Sequence, residues 1–178
     1  IAVAARLQTA VVVIVLSITV ILTHRDRRAV WVYYVAGTLP VACLLALYNT
    51  WAFGTPLQTG YGAEAALGWQ APLLEGLFGI LFSPSHGLLV YGPLLLLGLA
   101  CGLGLWFMRP GQGGADPAPG SAADVTLGRF VALGAAAQIL VMSKWWAWHG
   151  GVAYTQRMVQ EVHPLLIFLL ALGVRYMP

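Results

Sequence analysis

The sequence predicts an all-α, polytopic integral membrane protein, and three observations carry that prediction. Sixty per cent of the 178 residues are hydrophobic and only 8% are charged, with a mean hydropathy of +0.81. A soluble domain carries about 25% charged residues, so this chain has too little polar side chain to coat itself in water. Second, several apolar runs reach the roughly 20 residues that cross a bilayer as a helix, which satisfies its own backbone hydrogen bonds. Third, the runs are separated by segments in which arginine, glycine and proline collect, the usual breakers between elements. The chain reads as one transmembrane domain over 1–178, with about five membrane-crossing helices and one short interfacial or re-entrant helix.

The first span covers about 2–23, dense in Val, Ile and Leu, and ends at the basic cluster HRDRR, 24–28. The second covers 29–48; Gly37 and Pro40 lie inside it, as membrane helices tolerate. The stretch 49–72 is too polar and glycine-rich to cross. Residues 73–82, LLEGLFGILF, are apolar, but ten residues reach only about 15 Å, half a bilayer core. A short helix in or dipping into the interface is expected there. The third span covers 88–108. Residues 109–124 are rich in Gly, Pro and Ala without apolar period, as in a flexible linker. The fourth span covers 125–146 and the fifth 159–174. Small residues in GRFVALGAAAQ, 128–138, favour close helix packing.

Charge orients the spans. Net charge is only +3, which gives no reason to expect a nucleic-acid partner, but its distribution is uneven. Arg25, Arg27, Arg28, Arg109, Arg129 and Arg175 fall at one set of ends; Arg6, Lys144 and Arg157 fall at the other. The positive-inside bias then makes the linker 109–124 cytoplasmic and puts loops 49–87 and 145–158 on the outer face, periplasmic or extracellular, of a multi-pass protein in the cell (inner) membrane. Cys43 and Cys101 lie in apolar segments, as buried small hydrophobes do. The chain begins at Ile1 and ends just after an apolar run, as a piece of a longer polypeptide would.

The segment 144–157, KWWAWHGGVAYTQR, holds the densest mixture of aromatic and polar groups. Trp145, Trp146 and Trp148 suit an interfacial aromatic belt. Arg157 offers a planar fork for a phosphate, with His149 and Tyr154 as further donors; equally, it suits a snorkelling anchor or a partner for Glu161 four residues on. His163 precedes Pro164, consistent with a helix starting there. Asn49, Gly54, Pro56 and Gly60 in the 48–61 stretch are turn formers, so that loop should be folded rather than loose. Glu64 and Glu75 stand eleven residues apart without His or Cys at ligand spacing, so no metal site is expected. There is no P-loop, dinucleotide fingerprint or nucleophile elbow, and no cofactor can be named.

Four segments in order carry a resemblance: LYNTWAFGTPLQTGY (47–61), GLFGILFSPSHGLLVYGPLLLL (76–97), WWAWHGGVAYTQR (145–157) and EVHPLLIFLLA (161–171). Together they resemble the polytopic GT-C glycosyltransferases of the family 39, mannosyltransferase-like group. Those proteins read Y-N-x-x-x-F-G-x-P-x-x-x-G-Y, then G-L-L-x-S-P-x-R-G-L-L-x-Y-x-P, then W-x-G-G-x-S-Y-G-P-R. The resemblance implies an enzyme moving a sugar from a polyprenyl-phosphate carrier to an acceptor on the outer face, in contact with membrane lipids. It matches Tyr154 and Arg157 to the family's Y-x-x-R pair and, with Lys144, His149 and His86, implies a donor-phosphate site. Two departures stand out: His86 replaces the family's arginine, and Thr155-Gln156 replace Gly-Pro. The family's catalytic acid lies in an upstream outer loop that nothing here matches, so the chain corresponds to the C-terminal part of the membrane core, with Glu64 the best visible substitute. The alternative is a non-catalytic transmembrane subunit of a larger assembly, respiratory or photosynthetic. A transporter fits less well, since no span carries a central charge of the kind that marks an ion path.

Overall fold

A computed structural model describes residues 10–24, 26–58, 68–108, 121–149 and 157–176. It is all-α, an integral membrane protein, with no strand among the described residues. The helices are α1 (Ala10–His24), α2 (Arg28–Phe53), α3 (Leu73–Phe82), α4 (Leu88–Tyr91), α5 (Pro93–Phe107), α6 (Ser121–Ser143) and α7 (His163–Tyr176), with a 3-10 segment over Arg157–Val162 leading into α7. Three stretches are long and apolar enough to cross a membrane unaided: Arg28–Phe53, Ala122–Ser143 and Met158–Tyr176.

Several boundaries differ from the sequence reading, each for a local reason. The second span runs to Phe53, five residues past its expected end, so Asn49–Phe53 are helical rather than loop. It stops where Gly54 takes a left-handed conformation (φ 87°) and returns its N–H to the Thr50 carbonyl, a helix end that favours glycine. The chain then folds back, and Asn49 Nδ2 donates to the Pro56 carbonyl at 3.1 Å. The third span is not one helix. Gly92 and Pro93 divide it, with Pro93 opening α5, because proline has no N–H to continue α4 and biases its predecessor out of the helical region. The fourth span begins at Ser121 and ends at Ser143, so the end of the expected linker is helical. The rest of the linker, 109–120, lies outside the described residues.

The core is a three-helix unit of α5, α6 and α7. Gly98 of α5 meets the backbone of Leu166, and Cys101 meets Gly173, so α5 and α7 run parallel. Gly128 of α6 meets Leu105 and Leu172, while Ala132 lies near Gly102, so α6 runs antiparallel to both. Small residues at these crossings let the backbones approach, as membrane helices require when lipid supplies no hydrophobic contrast. Leu88, Leu105, Ala135, Met142, Val162, Leu166 and Leu169 fill the space between. Helix α1 adds to the outside of α6, with Gly134 against Val12 and Val15.

The ends of this unit differ in charge. At the linker end, Arg129 donates from Nε to the Leu105 carbonyl (2.9 Å) and from Nη2 to the Met108 carbonyl (2.5 Å), capping α5 where its carbonyls lack helical partners. There too Asp124 Oδ2 accepts from the Tyr176 hydroxyl at 2.6 Å and from Arg175 at 3.3 Å. His24 closes α1 beside Ala122 at this end, and Arg27 and Arg28 follow it. Helix α2 turns back from α1, with Ser17 Oγ and Tyr34 Oη hydrogen-bonded across the hairpin. Beyond that point it leaves the bundle, and none of its apolar window is buried.

Candidate functional site

The opposite end, where α6 stops and α5 and α7 begin, brings together parts of three of the segments that carry the resemblance, 76–97, 145–149 and 161–171. After Ser143 the chain turns through 144–149, and this turn pairs with 68–71 by backbone hydrogen bonds. Ala71 N–H donates to the Lys144 carbonyl (3.1 Å) and Trp146 N–H to the Gly68 carbonyl (2.7 Å). Helix α3 lies along the same turn. A Cβ at Gly76 would stand 1.9 Å from the Ser143 carbonyl oxygen, and one at Gly79 would stand 2.1 Å from the Trp148 ring. Only glycine permits this approach, so the ten-residue helix is held to the end of α6 by its own sequence.

Two of the three tryptophans pack against the protein rather than facing outward. Trp145 is buried at 6% exposure and meets Trp69 edge to face, ring centroids 5.0 Å apart. Trp148 packs into the space left at Gly79. Trp146, 54% exposed, is the one of the three that faces outward. Aromatic edge-to-face geometry adds about 0.5–1.5 kcal/mol to area burial, so Trp145 and Trp148 fasten the two loops together. The pair of glycines three apart in α3 was the sequence signal for a receiving surface.

Between α3 and α4 the chain makes a tight turn, with Gly87 N–H donating to the Ser83 carbonyl at 2.7 Å. Ser83 Oγ lies 3.2 Å from Ser85 Oγ, and Ser85 Oγ lies 2.6 Å from His86 Nδ1. This chain of hydroxyls orients the His86 ring. Across from it stands His149, ring centroids 6.2 Å apart and planes at 62°, itself edge to face with Trp148 at 5.6 Å. Two imidazoles thus stand side by side, one of them tied to a pair of serine hydroxyls. Ser83 and Ser85 were not anticipated from the sequence.

Of the residues named for the donor-phosphate site, His86 and His149 come together and Lys144 lies in the same turn, its side chain half-buried. The backbone of Arg157 opens the 3-10 segment. Its side chain, and Tyr154 and Glu64 as a whole, lie outside the described residues. Within that segment Val159 departs from helical geometry (φ −121°, ψ 18°), so Arg157 and Glu161 are joined by a kinked 3-10 segment rather than a regular α-helical turn. Helix α7 begins at His163, just before Pro164. Among the described residues, no three His, Cys, Asp or Glu side chains gather as a metal site would need.

No protein-family model, curated protein or solved structure matches this chain.

Proposed function

We propose that this chain is the C-terminal part of the membrane core of a GT-C-like glycosyltransferase, which binds a polyprenyl-phosphate sugar donor at the 68–87 and 144–157 end of the bundle. The observation that supports it is the convergence of two segments distant in sequence, joined by the Ala71–Lys144 and Trp146–Gly68 backbone bonds, with His86 facing His149. A single phosphate-binding surface needs that convergence. On this reading Lys144, His86, His149, Tyr154 and Arg157 hold the donor phosphate. The acceptor oxygen attacks the anomeric carbon as its proton passes to a carboxylate, Glu64 or an upstream acid. The bond from that carbon to the phosphate oxygen breaks, and the cations stabilise the departing phosphate. The site faces the periplasm or exterior, and the arginine-rich linker end faces the cytoplasm, in keeping with the positive-inside bias.

The test is binding of a polyprenyl phosphate to the purified full-length protein. Arg157→Lys should weaken it about tenfold or more, because an ammonium cannot reproduce the planar fork; His86→Arg, which restores the family's residue, should retain or strengthen it. Unchanged affinity in Arg157→Lys together with loss in His86→Arg would overturn the assignment. One observation favours the non-catalytic subunit instead: α2 leaves its apolar window wholly unburied, with Trp51 84% exposed, a surface able to meet another membrane subunit. Stoichiometric co-purification of such a subunit, with no polyprenyl-phosphate binding, would decide for it.

A further inference from the structure

At the linker end, α1 and α6 part around a cavity of about 490 Å³, remote from the site above. Thr19, Val20 and His24 line it from α1; Ala123, Asp124 and Leu127 line it from α6. Its volume lies in the range of about 300–1,000 Å³ typical of small-molecule sites. The walls are apolar in effect, because the hydroxyls that could make them polar turn inward. Thr19 Oγ1 donates to the Val15 carbonyl at 2.9 Å and Thr126 Oγ1 to the Ala122 carbonyl at 2.8 Å. The titratable groups that line it are the Asp124 carboxylate and the His24 imidazole. Asp124 supplies a carboxylate whose Oδ2 is held by Tyr176 and Arg175, leaving Oδ1 for another donor. His24 supplies an imidazole on the facing helix, and the exposed Arg27 and Arg28 follow it in the chain.

The geometry points to a phospholipid with a primary-amine headgroup seated in this cleft, one acyl chain between α1 and α6, its ammonium on Asp124 and its phosphate against His24. An apolar trough whose edge offers a carboxylate acceptor and an imidazole donor complements an acyl chain bearing an ammonium and a phosphate. A purely anionic headgroup would meet the Asp124 carboxylate. A choline headgroup has no N–H to donate to Oδ1, so the preference should be for the amine.

The experiment places the purified full-length protein in nanodiscs of palmitoyl-oleoyl phosphatidylcholine containing equal minor fractions of palmitoyl-oleoyl phosphatidylethanolamine and phosphatidylglycerol. Retained lipid is then read by native mass spectrometry. Phosphatidylethanolamine should be retained about tenfold or more over both others, the scale of one charge-assisted hydrogen bond, and Asp124→Asn should erase that preference. Since Asp124 also holds Tyr176, a second variant guards against misfolding: Ala123→Phe fills the cleft from an exposed position and should lose the retained lipid with thermal unfolding unchanged. Equal retention of the three lipids, preference for phosphatidylglycerol, or an ethanolamine preference that survives Ala123→Phe would each overturn the proposal.

Discussion

Replacing Gln138 by methionine should stabilise this protein. Gln138 lies in α6 at 0% exposure, and neither its Nε2 nor its Oε1 has a hydrogen-bond partner among the described residues. A buried amide without a partner costs roughly 1–3 kcal/mol by mutational measure. Methionine keeps the unbranched shape and nearly the volume, so little repacking strain should offset the gain. The unfolded chain in a membrane also finds partners for its polar groups, which reduces such differences; the expected gain is therefore about 1 kcal/mol. Reversible unfolding of the full-length protein in mixed micelles, read by tryptophan fluorescence, measures it. Gln138→Ala is the control: it removes the amide but opens a cavity, and should fall below Gln138→Met. A loss of about 1 kcal/mol or more in Gln138→Met would refute the reasoning, because it would mean that the folded amide is hydrogen-bonded.

Gly98→Ala would bring a Cβ within 2.2 Å of the Leu166 carbonyl oxygen, backbone against backbone, and should cost about 1–3 kcal/mol or more; Gly37→Ala, with open space around it, should be neutral or slightly stabilising in the same unfolding assay. Arg129→Ala removes both hydrogen bonds that cap α5 and should cost about 1.5–3 kcal/mol, with Arg129→Lys recovering only part, since one ammonium cannot span both carbonyls in the same geometry. Cysteines at Gln112 and Gln58, in a background lacking the native thiols, should react with an impermeant reagent from opposite faces of sealed vesicles. Labelling from one face would remove the proposed topology.

The sequence alone determined the class of this protein and the approximate course of its chain. With 8% charged residues there is no soluble solution, and apolar runs without internal partners must close their hydrogen bonds as helices. Local chemistry also placed some edges, as at His163-Pro164, where proline suits the first turn of α7. What it did not determine is which side of each helix meets protein. In water a polar stripe marks the outer face of a helix, but lipid and protein interior are both apolar, so α6 carries no such stripe and its packing rests on where glycine and alanine meet bulky neighbours. The same ambiguity hid the inward turn of Trp145 and Trp148, because a tryptophan near a membrane edge suits the interface as well as it suits a pocket at Gly79. The meeting of His86 with His149 is likewise a tertiary result. It follows from the close approach of Gly76 to the Ser143 carbonyl, a steric fit between two segments that neither one specifies without the other.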